Sequence, residues 1–234
     1  MLIDLHSHAA PASRDARDDI AAIARAVAPL GIDAIALTDH GPGCDYAAAA
    51  ATLADHGIGL IPGREVNTPI GHVLVLCTDT GWLAGLPERC ALPIPDGSRA
   101  PVAPVALVWA HPAGWRVAGA TIAPDPSRGA DHVHAIEVLN GERLWHLDAI
   151  RIAEGLARDL GAGATGGSDA HRADAAGRCL TVADGATDAS QAIEAIRAGT
   201  TRPLLGRGWA LANHHTYERD DLRPYAWPGN GDPR

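Results

Sequence analysis

The feature that most constrains this chain is the regular exchange of short apolar runs with segments of helical period. LIDL opens the chain. Ile20, Ile23, Val27 and Leu30 then recur at helical spacing after Asp18 and Asp19, and Gly31 stops that helix before the strand-like run IDAIAL. An Ala-rich helix near 45–56, a strand IGLI (58–61) and a strand HVLVLC (72–77) continue the pattern. Residues 78–104 are proline-rich and aperiodic, which predicts a long connection with at most one short helix. Strand signals return at VALVWA (105–110), HVHAIEVL (132–139), RCLTVA (178–183) and TRPLL (201–205). Helical periods cover 142–160 and SQAIEAIRAG (190–199), and GAGAT (161–165) reads as a lead into a loop.

Strands that alternate with helices place the chain in the α/β class, with a mostly parallel sheet covered by helices. About seven strands favour closure into a barrel over an open sheet. A chain of 234 residues supports one such core, assigned to 1–208. Residues 209–234 are rich in Pro, Trp and charge, lack a period, and read as an extended tail.

Charge and cysteine usage narrow the functional classes. A formal net charge of -9 disfavours an extended grip on nucleic acid, because counterion release rewards dense basic side chains. Cys44, Cys77, Cys90 and Cys179 form no CxxC pair and read as free thiols of a reducing compartment. There is no uncharged apolar stretch of membrane-spanning length and no basic, apolar leader, so the expectation is a cytoplasmic protein without membrane contact.

The twelve histidines matter less for their number than for their positions. His6 and His8 follow the strand LIDL, and a spacing of two puts both imidazoles on one face, as chelation of one metal requires. Asp15 follows in the same loop. Thr38-Asp39-His40 ends the second strand, Gly63-Arg64-Glu65 follows the third, and Ala110-His111-Pro112 ends the fifth. Ser168-Asp169-Ala170-His171 lies in a late loop. In a parallel barrel the loops after the strands share one face, so groups this far apart in sequence can converge. His72 begins its strand, and reaches the same place if that strand runs antiparallel or is irregular at that point. Ser168 lacks a GxSxG elbow, and His214 and His215 lie in the tail.

The set HSH, Asp15, TDH, GREV, GHVLVL, AHP and GGSDAH, in that order, resembles the PHP (polymerase and histidinol phosphatase) superfamily from residue 1 to about 205. The resemblance implies a distorted, TIM-like (β/α)7 barrel and two or three divalent metal ions, Zn, Mn or Fe. Carried over, His6, His8, Glu65 and Asp169 hold the first ion. Glu65, with His72 and His111, holds the second, and Asp15, His40 and His171 the third. His132 and His134 are read as non-ligands, and Glu137 and Asn140 line the site without an assigned role.

That ligand set implies hydrolysis of a small phosphorylated metabolite or nucleotide by a hydroxide bridging the metals, with Asp169, Glu65 and His171 as the catalytic groups. Arg116 is the first candidate for the substrate phosphate, followed by Arg14, Arg64 and Arg172. The alternatives are a phosphodiesterase or exonuclease acting on short oligonucleotides, a carboxylic ester or amide hydrolase, and a metal-stabilised module without activity.

Overall fold

The computed structural model describes residues 1–206 except 42, 95–98, 114–115, 118–119, 122–123 and 145–146, and except the side chains of 116–117, 120–121 and 147. The tail assigned to 209–234 lies outside the described residues. In chain order the elements are β1 (Leu2–Ser7), α1 (Ile20–Val27), β2 (Ala34–Leu37), α2 (Tyr46–Ala54), β3 (Gly59–Thr68), β4 (Gly71–Cys77) and α3 (Thr80–Ala84). They continue with β5 (Val105–Trp109), a two-stranded ribbon of β6 (Arg116–Val117) and β7 (Ala120–Thr121), then β8 (Ala135–Asn140), α4 (Leu147–Leu160), β9 (Gly163–Gly167), β10 (Cys179–Val182), α5 (Ala189–Arg197) and β11 (Arg202–Leu205). Aspartates start several helices: Asp19, Asp45 and Asp188 each accept a backbone N–H of the first turn.

Nine strands form one sheet in the order β11-β10-β1-β2-β3-β4-β5-β8-β9. The sheet curls until β9 meets β1 again. His8 N donates to Ala170 O at 2.9 Å and Asp169 N to His6 O at 2.8 Å, while the Thr181 hydroxyl on β10 both accepts from Gly166 N and donates to Gly166 O. The protein is therefore an α/β barrel, nearly closed. The sheet is less parallel than expected: β1-β2-β3 and β5-β8-β9 are parallel blocks, but β4 is antiparallel to both neighbours, β10 is antiparallel to β1, and β11 is antiparallel to β10 at the edge.

Two differences from the sequence expectation have clear physical causes. GATGG is strand β9, not a loop, and its glycines are needed because this is the closing seam. A Cβ on Gly167 would collide with His6 Cβ and lie 2.7 Å from Glu137 Oε1, and one on Gly166 would lie 2.7 Å from Leu180 O. The residues that permit closure are those that hide the strand from propensity. Secondly, β3 extends to Thr68 because β4 folds back on it, with Glu65 opposite Leu74 and Asn67 opposite His72. Glu65 thus lies within a strand, and the antiparallel return brings His72 beside it.

Inside the barrel, Ile3, Leu5, Ile61, Leu74, Leu76 and Val108 pack with Ala192, Ile193 and Ile196 of α5, which closes the end opposite the histidines. Outside, Ile23 and Val27 of α1 and Leu53 of α2 cover Ile35 and Leu37. Polar groups collect at one end of an otherwise apolar interior. Gly167→Ala should lower stability by roughly 1–3 kcal/mol through overpacking at the seam. A urea midpoint unchanged from wild type would show that the seam tolerates a methyl group.

Candidate metal centre

The local backbone sets which side chains face the barrel mouth. Pairing of β1 with β2 breaks register between Asp4 and Ser7, so Leu5 joins the interior cluster while His6 still turns to the mouth. Likewise, β8 shifts register against β9 between Glu137 and Leu139, and Glu137 and Asn140 meet although they are three apart on a strand, with Asn140 Nδ2 donating to Glu137 Oε2 at 2.8 Å. Two ligand candidates have positive φ without being glycine: His111 at 29° and Asp169 at 53°. Such conformations cost on the order of 1–3 kcal/mol each and persist only where the surroundings impose them. At Asp169 the surroundings include buried Asp4, whose oxygens accept Ser168 N at 2.9 Å and Gly177 N at 2.8 Å.

Six imidazoles converge on Glu65 and Asp169. His6 Nε2 and His8 Nε2 lie 3.1 Å apart, each 3.3 Å from Glu65 Oε2 and 3.4 and 3.3 Å respectively from Asp169 Oδ1. The other oxygen of Glu65, Oε1, faces His72 Nδ1 at 2.7 Å and His111 Nε2 at 3.1 Å. His40 Nε2 lies 3.2 Å from Glu65 Oε2, and Asp15 Oδ2 sits 3.6 Å from His40 Nε2 and 3.3 Å from His171 Nε2. The ring of His171 stacks on His8 with centroids 4.3 Å apart. Three groups of donor atoms result, each within 4.8 Å: His6, His8, Glu65 and Asp169; Glu65, His72 and His111; and His8, His40 and His171.

These groups fit divalent ions. Metal–nitrogen bonds of 2.0–2.1 Å in a tetrahedron separate neighbouring donors by about 3.3 Å, close to the 3.1–3.4 Å at which His6 Nε2 and His8 Nε2 lie from each other, from Glu65 Oε2 and from Asp169 Oδ1. His72 Nδ1 is buried and makes no hydrogen bond although a carboxylate oxygen is 2.7 Å away, as expected of two donors aimed at one point and not at each other. Ring nitrogens on the far side are engaged: His6 Nδ1 with Glu137 at 3.0 Å, His8 Nδ1 with Ser13 Oγ at 3.2 Å, and His171 Nδ1 donating to Asp169 O at 2.9 Å. That arrangement leaves each Nε2 free to coordinate.

Electrostatics follow from burial and charge. Burial alone would raise the Glu65 carboxyl, but the His6 imidazole and hydrogen bonds from His111 and His6 outweigh it and hold it well below the ordinary range. Asp169 is lowered in the same way, against burial, by His6, His8 and His111. The carboxylates in turn overcome the desolvation of the imidazoles: His6 and His111 are raised, and His8 is raised to about 9. His40, half-buried, is lowered, because desolvation prevails there.

The expected arginines divide. Arg14 is exposed and lines a cleft of about 250 Å³ with Asp15, His40, Glu65, Asn67 and Glu88. Arg172 lines a neighbouring cleft of about 380 Å³ with Asp15, Arg17, Glu142, His171 and Arg178. Arg64 does not reach the site. Adjacent to Glu65 on a strand, it must point to the other face, where it is buried and donates to the carbonyls of Leu83 and Leu86. The side chain of Arg116 lies outside the described residues. His134 accepts from Leu107 N at 3.0 Å and His132 is near Asp131, so neither joins the cluster. Ser13 and Asp4 escaped the sequence reading, and nothing in their local sequence distinguishes them from ordinary polar residues.

The PHP domain model matches residues 4–84 and the PHP-associated model matches residues 148–201, together more than half of the chain. The chain belongs to the PHP family. No curated protein matches the sequence. PsfC from Pseudomonas syringae is similar in structure, with 22% identity and a TM-score of 0.63, over 91% of this chain and 96% of that one. A two-domain protein from Bacteroides vulgatus, containing a predicted PHP-like metal-dependent phosphoesterase, aligns at 20% identity and a TM-score of 0.60 over 88% of this chain and 65% of its own. Both likenesses concern the fold. Among the described residues, no helix is long and apolar enough to cross a membrane.

The raised imidazoles have a measurable consequence. Coordination requires unprotonated nitrogen, so metal uptake at pH 7 should release protons, and affinity should climb as pH rises towards about 9, where His8 loses its proton. Titration calorimetry in buffers of different ionisation enthalpy reads the number released. Metal-free protein should show the converse: a raised histidine stabilises fully below its unfolded value, so stability should fall as pH rises from 6.5 to about 9. Uptake without proton release would contradict these ionisation states.

Proposed function

We propose that the protein is a metal-dependent phosphoesterase acting on a small phosphorylated metabolite or nucleotide. The observation that carries this is Glu65: Oε2 faces His6 and His8 while Oε1 faces His72 and His111, so a single carboxylate is placed to join two ion sites. Asp15, His40 and His171 are assigned to a third, beside His8. Divalent ions held there would supply Lewis acidity to a phosphoryl oxygen and a nucleophile from water near neutral pH.

The chain's own groups do the rest. Asn140 Nδ2 donates to Asp169 Oδ2 at 3.2 Å, which fixes the carboxylate that we assign to orient the attacking water. Arg14, exposed at the rim of the cleft that reaches Glu65, is the cation we assign to the substrate phosphate. The cleft volume of about 250 Å³ suits a small substrate better than a polymer. Family membership supports hydrolytic chemistry, whereas the bond cleaved rests on the donor set and the arginine.

Phosphate release should be measured from nucleotides, sugar phosphates and an aryl phosphate, with Mn or Zn and with chelator, alongside a labelled oligonucleotide and a carboxylic ester. Metal-dependent release from a monoester is expected, lost by roughly a thousandfold in Asp169→Ala, on the scale that Lewis-acid stabilisation supplies. Arg14→Ala should raise KM about tenfold with a smaller change in kcat, as loss of one charge-assisted hydrogen bond to bound phosphate implies. Faster turnover of the oligonucleotide or the carboxylic ester would overturn the assignment.

A further inference from the structure

Glu137 belongs to none of the three donor groups, yet it is almost wholly buried against them. Its carboxylate makes three contacts, to β1, to the turn after β5 and to the end of its own strand. Oε1 lies 3.0 Å from His6 Nδ1 on β1, and Oε2 accepts the backbone N–H of His111 at 2.9 Å, just after β5, and Nδ2 of Asn140 at 2.8 Å. The first contact selects one tautomer, because a carboxylate oxygen only accepts: Nδ1 carries the proton and Nε2 presents its lone pair to His8, Glu65 and Asp169. The second holds the positive-φ residue His111 in the conformation that directs its ring to Glu65. Gly167 provides the room in which His6 and Glu137 meet.

We infer that Glu137 is a positioning residue of the metal centre, fixing the tautomer of His6 and the backbone of His111 so that ligands of two neighbouring ion sites are set by one carboxylate. The inference rests on the metal reading of the cluster. It has a specific consequence for Glu137→Gln, which preserves shape. The amide oxygen must serve the two fixed donors on the Oε2 side, His111 N and an Asn140 amide whose Oδ1 is already taken by Glu142 N. The amide nitrogen then faces His6 Nδ1 and opposes a proton there, which favours the tautomer whose Nε2 cannot bind metal.

Zinc affinity should be measured by chelator competition, well below the melting temperature, for wild-type and Glu137→Gln protein. The expected result is a loss of roughly 10- to 100-fold in the variant, the range for removal of a partner that orients a metal-bound histidine. A merely structural role would lower the melting temperature and leave the affinity of folded protein unchanged. In parallel, proton–nitrogen correlation spectra of zinc-loaded wild-type protein, with labelled histidine, should show a slowly exchanging proton on His6 Nδ1. That spectrum decides the matter even if the variant does not fold. Affinity within twofold of wild type, or a His6 without a proton on Nδ1, overturns the inference while leaving the metal reading intact. Wild-type protein that takes up no zinc overturns both.

Discussion

A carboxylate buried at the mouth of an apolar barrel must be neutralised, and the arrangement of Glu65 within a shell of imidazoles meets that requirement. Glu65 is 2% exposed, and an isolated charge there would be prohibitive. Five histidines from β1, β2, β4 and the end of β5 place a ring nitrogen within 3.3 Å of one of its two oxygens. Those strands are neighbours in the sheet apart from β3, which carries Glu65 itself. The pairing order of the barrel is thus also the order in which ligands are delivered.

Support for the cluster comes from backbone irregularity as much as from regular structure. Register breaks in β1 and β8 turn His6, Glu137 and Asn140 to the mouth, and positive φ at His111 and Asp169 aims two more groups. Each irregularity has a polar anchor close by: Asp4 holds the turn at Ser168, and Glu137 holds His111. Glycines of β9 then allow the seam to close around them. Stability and site geometry share the same few atoms, so a methyl group at Gly167 would press on both His6 and Glu137.

Much of this was legible in the sequence, and the gaps have physical explanations. The motifs HSH, TDH, AHP and SDAH could be placed because they all sit at strand ends, which share one face of a parallel barrel, and their histidines meet around Glu65 and Asp169. His72, at the start of its strand, required either an antiparallel run or an irregularity there, and the antiparallel return of β4 supplies the first. Arg64 misled because its neighbour Glu65 was placed after the strand; once β3 extends to Thr68, alternation sends the two side chains to opposite faces. Strand β9 was hidden by its glycines. The role of Glu137 depends on a register shift that no periodicity reveals.

The sharing of Glu65 between two ions is best tested by anomalous diffraction from crystals soaked in manganese or zinc. The expected result is a pair of peaks at the barrel mouth, one contacted by Glu65 Oε2 with His6, His8 and Asp169, the other by Oε1 with His72 and His111. Absence of peaks there, or peaks that Glu65 does not contact, would contradict the assignment of this cluster as the metal centre.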